Sequence, residues 1–215
     1  IVEILTPGTA TVDTDQVNHR PTWLAAVCDG RRRRTGLAAL DLSTGNFMLD
    51  EGPLDEIQER LRVLEPREVL YPEAASEDTV PVARLGLTNG SALLTAFEEW
   101  HFDYRTAARE LNDHFGTSTL DGFGVGDCRL AISAAGAVFR YLRENHRDQL
   151  SHINSLTRFD NAEHMVLDYS TVRNLELLRN ITDSTEQNSL YDVINCCQTA
   201  AGSRCLQTAL LRPFR

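Results

Sequence analysis

Lysine is missing from this chain of 215 residues: all 21 basic residues are arginines. That absence excludes a Walker A loop, whose lysine reaches the nucleotide phosphates. It excludes Schiff-base chemistry on lysine as well. Cysteine is sparse and odd in number, five in all, with no C-x-x-C pair; Cys196 and Cys197 are adjacent. Such spacing suits neither a disulfide framework nor a zinc site, so a reducing, cytoplasmic compartment is expected. The six histidines show no H-E-x-x-H spacing. No apolar run approaches the roughly 20 residues that span a bilayer. The chain opens on Ile1 without a basic and then apolar leader, and is expected to be a piece of a longer protein. Acidic residues outnumber basic ones, 31 to 21, for a net charge of -10. A primary DNA-binding surface needs the opposite sign.

What is present suffices for a packed core, since 42% of the residues are hydrophobic. Residues 1–11 read as a linker ending in a Pro-Gly turn. Trp23 to Cys28 reads as a buried strand, Asp29-Gly30 with Arg31 to Arg34 as the turn, and Thr35 to Leu42 as the return strand. Ser43 to Asn46 is a second tight turn and Phe47 to Leu49 a third strand. Then the period changes. Leu54, Ile57, Leu61 and Leu64 share a helical face that stops at Glu65-Pro66. Glu68 to Tyr71 and Leu93 to Phe97 read as strands, with residues 73–92 weakly patterned. Tyr104, Ala107, Ala108, Leu111 and Phe115 form a stripe over 103–115, with Asp103 and Gly116 as caps. Ala131, Ala135, Val138 and Leu142 mark a further helix, whose Ala134-Ala135-Gly136-Ala137 run permits close backbone packing. A meander followed by βα units is an α/β arrangement of ribonuclease H-like type. Polar residues near 150–164 mark a junction. Beyond it, helices are expected at 169–181, near 189–196 and at 203–211, the beginning of an all-helical domain.

Candidate chemistry is thin. Asp41, before the Ser43-Thr44-Gly45 turn, stands where ribonuclease H-like nucleases begin a two-metal site, with Asp29, Asp50 and Glu73 as conceivable partners. The plainer reading makes Asp41 a turn cap. Arg31 to Arg34 suit phosphate, or simply a solvated hairpin tip that blunts edge pairing. Cys28 reads as core. Asp168, Ser170 or Thr171 reads as a helix cap.

Five segments, in order, carry a resemblance: Ile4-Leu5-Thr6-Pro7-Gly8-Thr9; Leu40-Asp41-Leu42-Ser43-Thr44-Gly45-Asn46-Phe47; Phe115-Gly116 through Leu120-Asp121-Gly122-Phe123-Gly124; Met165 through Leu177; and Gly202-Ser203-Arg204-Cys205-Leu206 through Arg212-Pro213. Together they resemble the MutS family of DNA mismatch-repair proteins. The first is similar to the end of the mismatch-recognition domain, the next two to the connector domain, the last two to the start of the core (lever) domain. Departures lie in the last segment, where Ala201 precedes the Gly and Ala209 replaces a common tryptophan. Phe97-Glu98-Glu99 has the letters of the family's mismatch-reading wedge but not its surroundings.

The resemblance implies residues 12–163 as a ribonuclease H-like connector and 164–215 as a partial helical core. It implies a parent, expected to be a homodimer, that binds mismatched DNA through other domains, hydrolyses ATP with magnesium and recruits a MutL-type partner. The piece itself is then a connector and docking module with no catalysis, cofactor or metal. The helix over 103–115 should turn Thr106, Arg109, Glu110 and Asp113 to solvent; the resemblance makes them candidates for docking MutL. The alternatives are a divergent nuclease using Asp41 with a divalent metal, and a stand-alone interaction module.

Overall fold

The computed structural model describes residues 21–30, 34–73, 85, 87, 92–145, 150–159 and 164–215. These fall into two compact units, the described residues of Thr22–Phe159 and those of 164–215. The expected linker, residues 1–11, lies outside the described residues, as do Arg31 to Arg33 and most of 74–91.

The first unit is built on a six-stranded sheet. Its strands are β1 (Trp23–Asp29), β2 (Arg34–Asp41), β3 (Asn46–Pro53), β4 (Glu68–Glu73), β5 (Leu93–Glu98) and β6 (Thr157–Arg158). Their spatial order is β5-β4-β1-β2-β3-β6. β1, β2 and β3 form an antiparallel meander, while β4 lies parallel to β1 and β5 parallel to β4. This is the ribonuclease H-like arrangement that the sequence predicts. β1 is apolar at nearly every position because both sheet faces are covered. Trp23, Ala25 and Val27 enter one core with Ile57, Leu61 and Leu64 of α1 (Leu54–Leu64). Leu24, Ala26 and Cys28 enter the other, with α2 (Tyr104–Phe115) and α3 (Arg129–Asn145). Glu65, left-handed at φ 47°, closes α1 by donating its N–H to Leu61 O, and Pro66 prevents extension.

α3 is buried all round from Ala131 to Leu142, as expected of a helix with apolar residues on every face. Two glycines let it approach so closely. A β-carbon on Gly36 of β2 would lie 2.2 Å from the Leu130 carbonyl carbon, and one on Gly136 would lie 2.3 Å from Ala107 Cβ of α2. Glu51, at the end of β3, accepts the Leu130 N–H at 2.8 Å and faces Arg34 at 3.4 Å, tying the helix start to β2 and β3.

The second unit contains α4 (Tyr169–Asn174), α5 (Leu190–Ile194) and α6 (Ala200–Leu211), each opened by a side-chain cap: Asp168, Ser189 and Thr199. Met165 to Asp168 is not the strand that its apolar letters suggest; only His164 makes a bridge, to Phe214. The expected helix over 169–181 stops at Asn174. There Glu176 turns left-handed at φ 50°, its N–H bonds Arg173 O, and the Leu177 N–H bonds Val172 O. That pair of bonds is a Schellman stop made without glycine. α6 also starts earlier than its Gly202-Ser203 pair predicts, because Thr199 accepts the Gly202 N–H at 3.1 Å and Ala200-Ala201 favour helix. Leu177 and Tyr191 are buried, whereas Leu175 is 61% and Val193 72% exposed. No helix among the described residues is long and apolar enough to cross a membrane.

Two outcomes follow. Gly36→Ala should destabilise the first unit by about 1–3 kcal/mol through overpacking against backbone, read by urea unfolding. Amide exchange in α4 and α5, with so few buried contacts, should be much faster than in α3; equal protection in the two units would contradict this account.

Candidate docking face and the buried arginine beneath it

α2 begins where Asp103 leaves helical geometry and accepts both the N–H (2.9 Å) and the Oγ1 (2.7 Å) of Thr106. Those hydrogen bonds, side chain first, hold the Asp103 carboxyl below its ordinary value. The helix ends at Gly116, left-handed at φ 65°. Ala107 and Leu111 are buried, and Tyr104, Ala108 and Phe115 pack against the core at its margin. Arg129 stacks over the Tyr104 ring, 4.4 Å from its centroid.

The four docking candidates do not share one fate. Arg109 and Asp113 are exposed, with no ion-pair partner among the described residues. Thr106 is half-buried and its hydroxyl belongs to the cap. Glu110, expected to face solvent, turns inward: its Oε2 accepts from Arg140 Nε at 2.9 Å. Arg140 of α3 is only 6% exposed, and its Nη1 also donates to the carbonyls of Trp100 (3.3 Å) and His101 (2.5 Å). A buried guanidinium requires such partners, so it draws Glu110 in. Sequence reasoning missed Arg140. It occupies a core-facing place in an otherwise apolar helix, and no periodicity marks it.

Beside Glu110 and Asp113 runs a groove of about 610 Å³, lined also by His114, Phe139, Arg143, Leu150 and Ser151. His114 Nε2 lies 2.8 Å from Ile153 O, fixing the loop that forms the groove's wall.

The geometry does not support the nuclease alternative. Asp41 is buried; its Oδ1 accepts from Ser43 N (3.0 Å) and Oγ (2.6 Å), and its Oδ2 from Thr44 Oγ1 (2.9 Å). It is the turn cap. Asp29 accepts from Thr35 Oγ1 at 2.8 Å, and Asp50 is paired with Arg60 at 3.2 Å. Among the described residues no three His, Cys, Asp or Glu side chains group as metal ligands. Cys28 is core: burial first, then the charges of Asp29 and Glu51, push its thiol up to about 12. Arg34 reaches the Glu51 carboxylate and carbonyl, while the other hairpin arginines lie outside the described residues. Phe97 stacks on His101 inside the unit, not on a DNA-facing wedge.

Arg140→Met should cost at least about 2 kcal/mol, because it orphans Glu110 and two carbonyls together. Thermal unfolding reads the loss; an unchanged midpoint would show that water replaces the guanidinium without cost.

Comparison with known families matches this architecture in two places. A family model described as MutS domain II matches residues 22–154, the sheet with α1, α2 and α3. One described as MutS domain III matches residues 170–215, which hold α5, α6 and nearly all of α4. The first match alone covers more than half of the chain, and it runs from the start of β1 to just before β6. The chain therefore belongs to the MutS family of DNA mismatch-repair proteins, and carries its connector domain followed by helices of its core domain.

Proposed function

We propose that this chain is the connector and docking portion of a mismatch-repair protein, and that the outer face of α2 receives a MutL-type partner. The observation that carries this reading is the pair Arg109 and Asp113. They are one helical turn apart, exposed and without ion-pair partners among the described residues, beside a groove that continues the same face. A guanidinium offers bidentate recognition of a carboxylate, and desolvated arginines are frequent anchors of interfaces. Glu110 lines the groove while its carboxylate holds Arg140 beneath the face.

In this reading the chain has no catalytic role. Mismatched-DNA binding, and ATP hydrolysis with magnesium, belong to other domains of a homodimeric, cytoplasmic parent. The net charge of -10 and the absence of lysine support that division: neither a DNA footprint nor a P-loop can be built here. The connector would pass nucleotide state between domains through packed elements, an inference by fold analogy.

Arg109→Glu with Asp113→Arg should leave unfolding within about 0.5 kcal/mol of the parent chain, since both side chains are exposed. In the full-length protein, the double reversal should weaken MutL capture on mismatched DNA while sparing mismatch binding and ATP hydrolysis. Undiminished capture rejects the docking role. Glu110 is unsuitable for this test, because changing it disturbs Arg140 and therefore the fold.

A further inference from the structure

Among the described residues β5 is an edge strand of the sheet. Leu93 donates its N–H to Arg67 O at 2.8 Å and the register with β4 runs unbroken from Glu68↔Leu93 to Glu73↔Glu98. In a parallel pair, alternate residues face the neighbour. Leu93, Thr95 and Phe97 therefore bond toward β4, and Leu94, Ala96 and Glu98 direct N–H and C=O groups outward. Among the described residues no strand pairs on that side. Within the strand itself β5 holds no proline, no bulge and no basic side chain, three of the devices that discourage edge pairing.

What flanks this edge is chemically specific. Trp100, just past the strand, is 61% exposed. Its indole is held in place: Nε1 donates to Glu98 Oε2 at 2.6 Å, and the ring stacks on buried His101, which stacks in turn on Phe97 with centroids 3.7 Å apart. Arg140 fixes the turn by binding the Trp100 and His101 carbonyls. Glu98, bonded to the indole, is exposed, as are Glu99, next to Trp100 in sequence, and Glu73, opposite Glu98 on β4. Glu73 and Glu98 are register partners, a like-charge juxtaposition that costs stability. Among the described residues no arginine pairs with these three carboxylates, and the one basic group near them is His101, whose Nε2 lies 3.6 Å from Glu98 Oε2. Positive charge on a partner would relieve that repulsion, and the exposed indole offers a cation a further favourable contact.

We infer that the outer edge of β5 with Trp100 is a second docking surface, and that it takes an extended, arginine- or lysine-bearing segment of a partner protein as an added strand. Backbone bonds at Leu94, Ala96 and Glu98 supply the pairing; the indole and the three carboxylates select positive charge. The surface lies on the sheet edge, not on α2, and stands or falls independently of the MutL reading.

The test uses the whole 215-residue chain, ¹⁵N-labelled, and the probe peptide acetyl-Arg-Thr-Val-Arg-Val-Thr-Arg-amide. The amides of Leu94, Ala96 and Glu98 should shift and gain exchange protection, and the Trp100 emission should respond. A probe with glutamate in place of arginine should bind at least about tenfold more weakly. Ala96→Pro removes only a solvent-facing N–H, so the sheet should persist while binding disappears. Glu98→Gln with Glu99→Gln, which does not interrupt the strand, should weaken binding about three- to tenfold. The proposal is overturned if the peptide does not bind, if the three amides stay unshifted while only Trp100 responds, or if a folded Ala96→Pro chain binds as before.

Discussion

Arg140 is the group on which the arrangement of this domain turns. A guanidinium taken out of water is tolerated only where hydrogen-bond acceptors converge on it. Here they converge from two elements: the Glu110 carboxylate on α2 and the carbonyls of Trp100 and His101 at the turn after β5. Burial of Ala107 and Leu111 sets the rotation of α2 about its axis, and the need of Arg140 for partners draws the Glu110 side chain inward from its margin. With Glu110 drawn inward, Arg109 and Asp113 are left outside. The same need sets the turn that presents Trp100. One buried charge thus helps position two separate parts of the surface, and does so from within a helix whose buried positions are mostly apolar.

The close approach of α3 to its neighbours makes that geometry rigid. Gly36 and Gly136 bring helix backbone against sheet and helix at distances no side chain would permit. Alanine-rich stretches usually stabilise a core weakly, since little area is buried per residue. Here the loss is offset by the number of close contacts and by the Glu51 cap on the helix start.

Much of this was legible in the letters. The six-residue apolar run of β1, the 3.6-residue stripe of α2, and the Asp103 and Gly116 caps each specify local structure strongly, and the structure follows them. The meander and the βα order were legible because strand and helix periods differ so plainly on either side of Pro53. Failures occurred where a nonlocal or unusual backbone term won. Nothing in the spacing of Val172, Leu175 and Leu178 announces a Schellman stop at Glu176, because a glutamate rarely takes positive φ. Glu110 lay on the polar side of its helix by spacing alone; only the buried Arg140, thirty positions away in sequence, explains its inward turn. Thr199 starts the helix ahead of Gly202-Ser203 because its hydroxyl accepts the Gly202 N–H and Ala200-Ala201 favour helix in the first turn.

β1 has one further consequence, and it concerns the order of assembly. On one side it bonds β2, reached by a hairpin; on the other it bonds β4, reached only after β3 and α1 have passed. The first pairing closes a short loop and the second a long one, whose entropy cost must be met before the contact is made. The antiparallel half of the sheet can therefore exist as a template before the parallel half. β4 adds to the free edge of β1, β5 to the edge that β4 creates, and β6 to β3 on the opposite side. The sheet extends from its meander to both sides, and the edge that β5 leaves open is where the extension beyond β1, within the described residues, comes to rest.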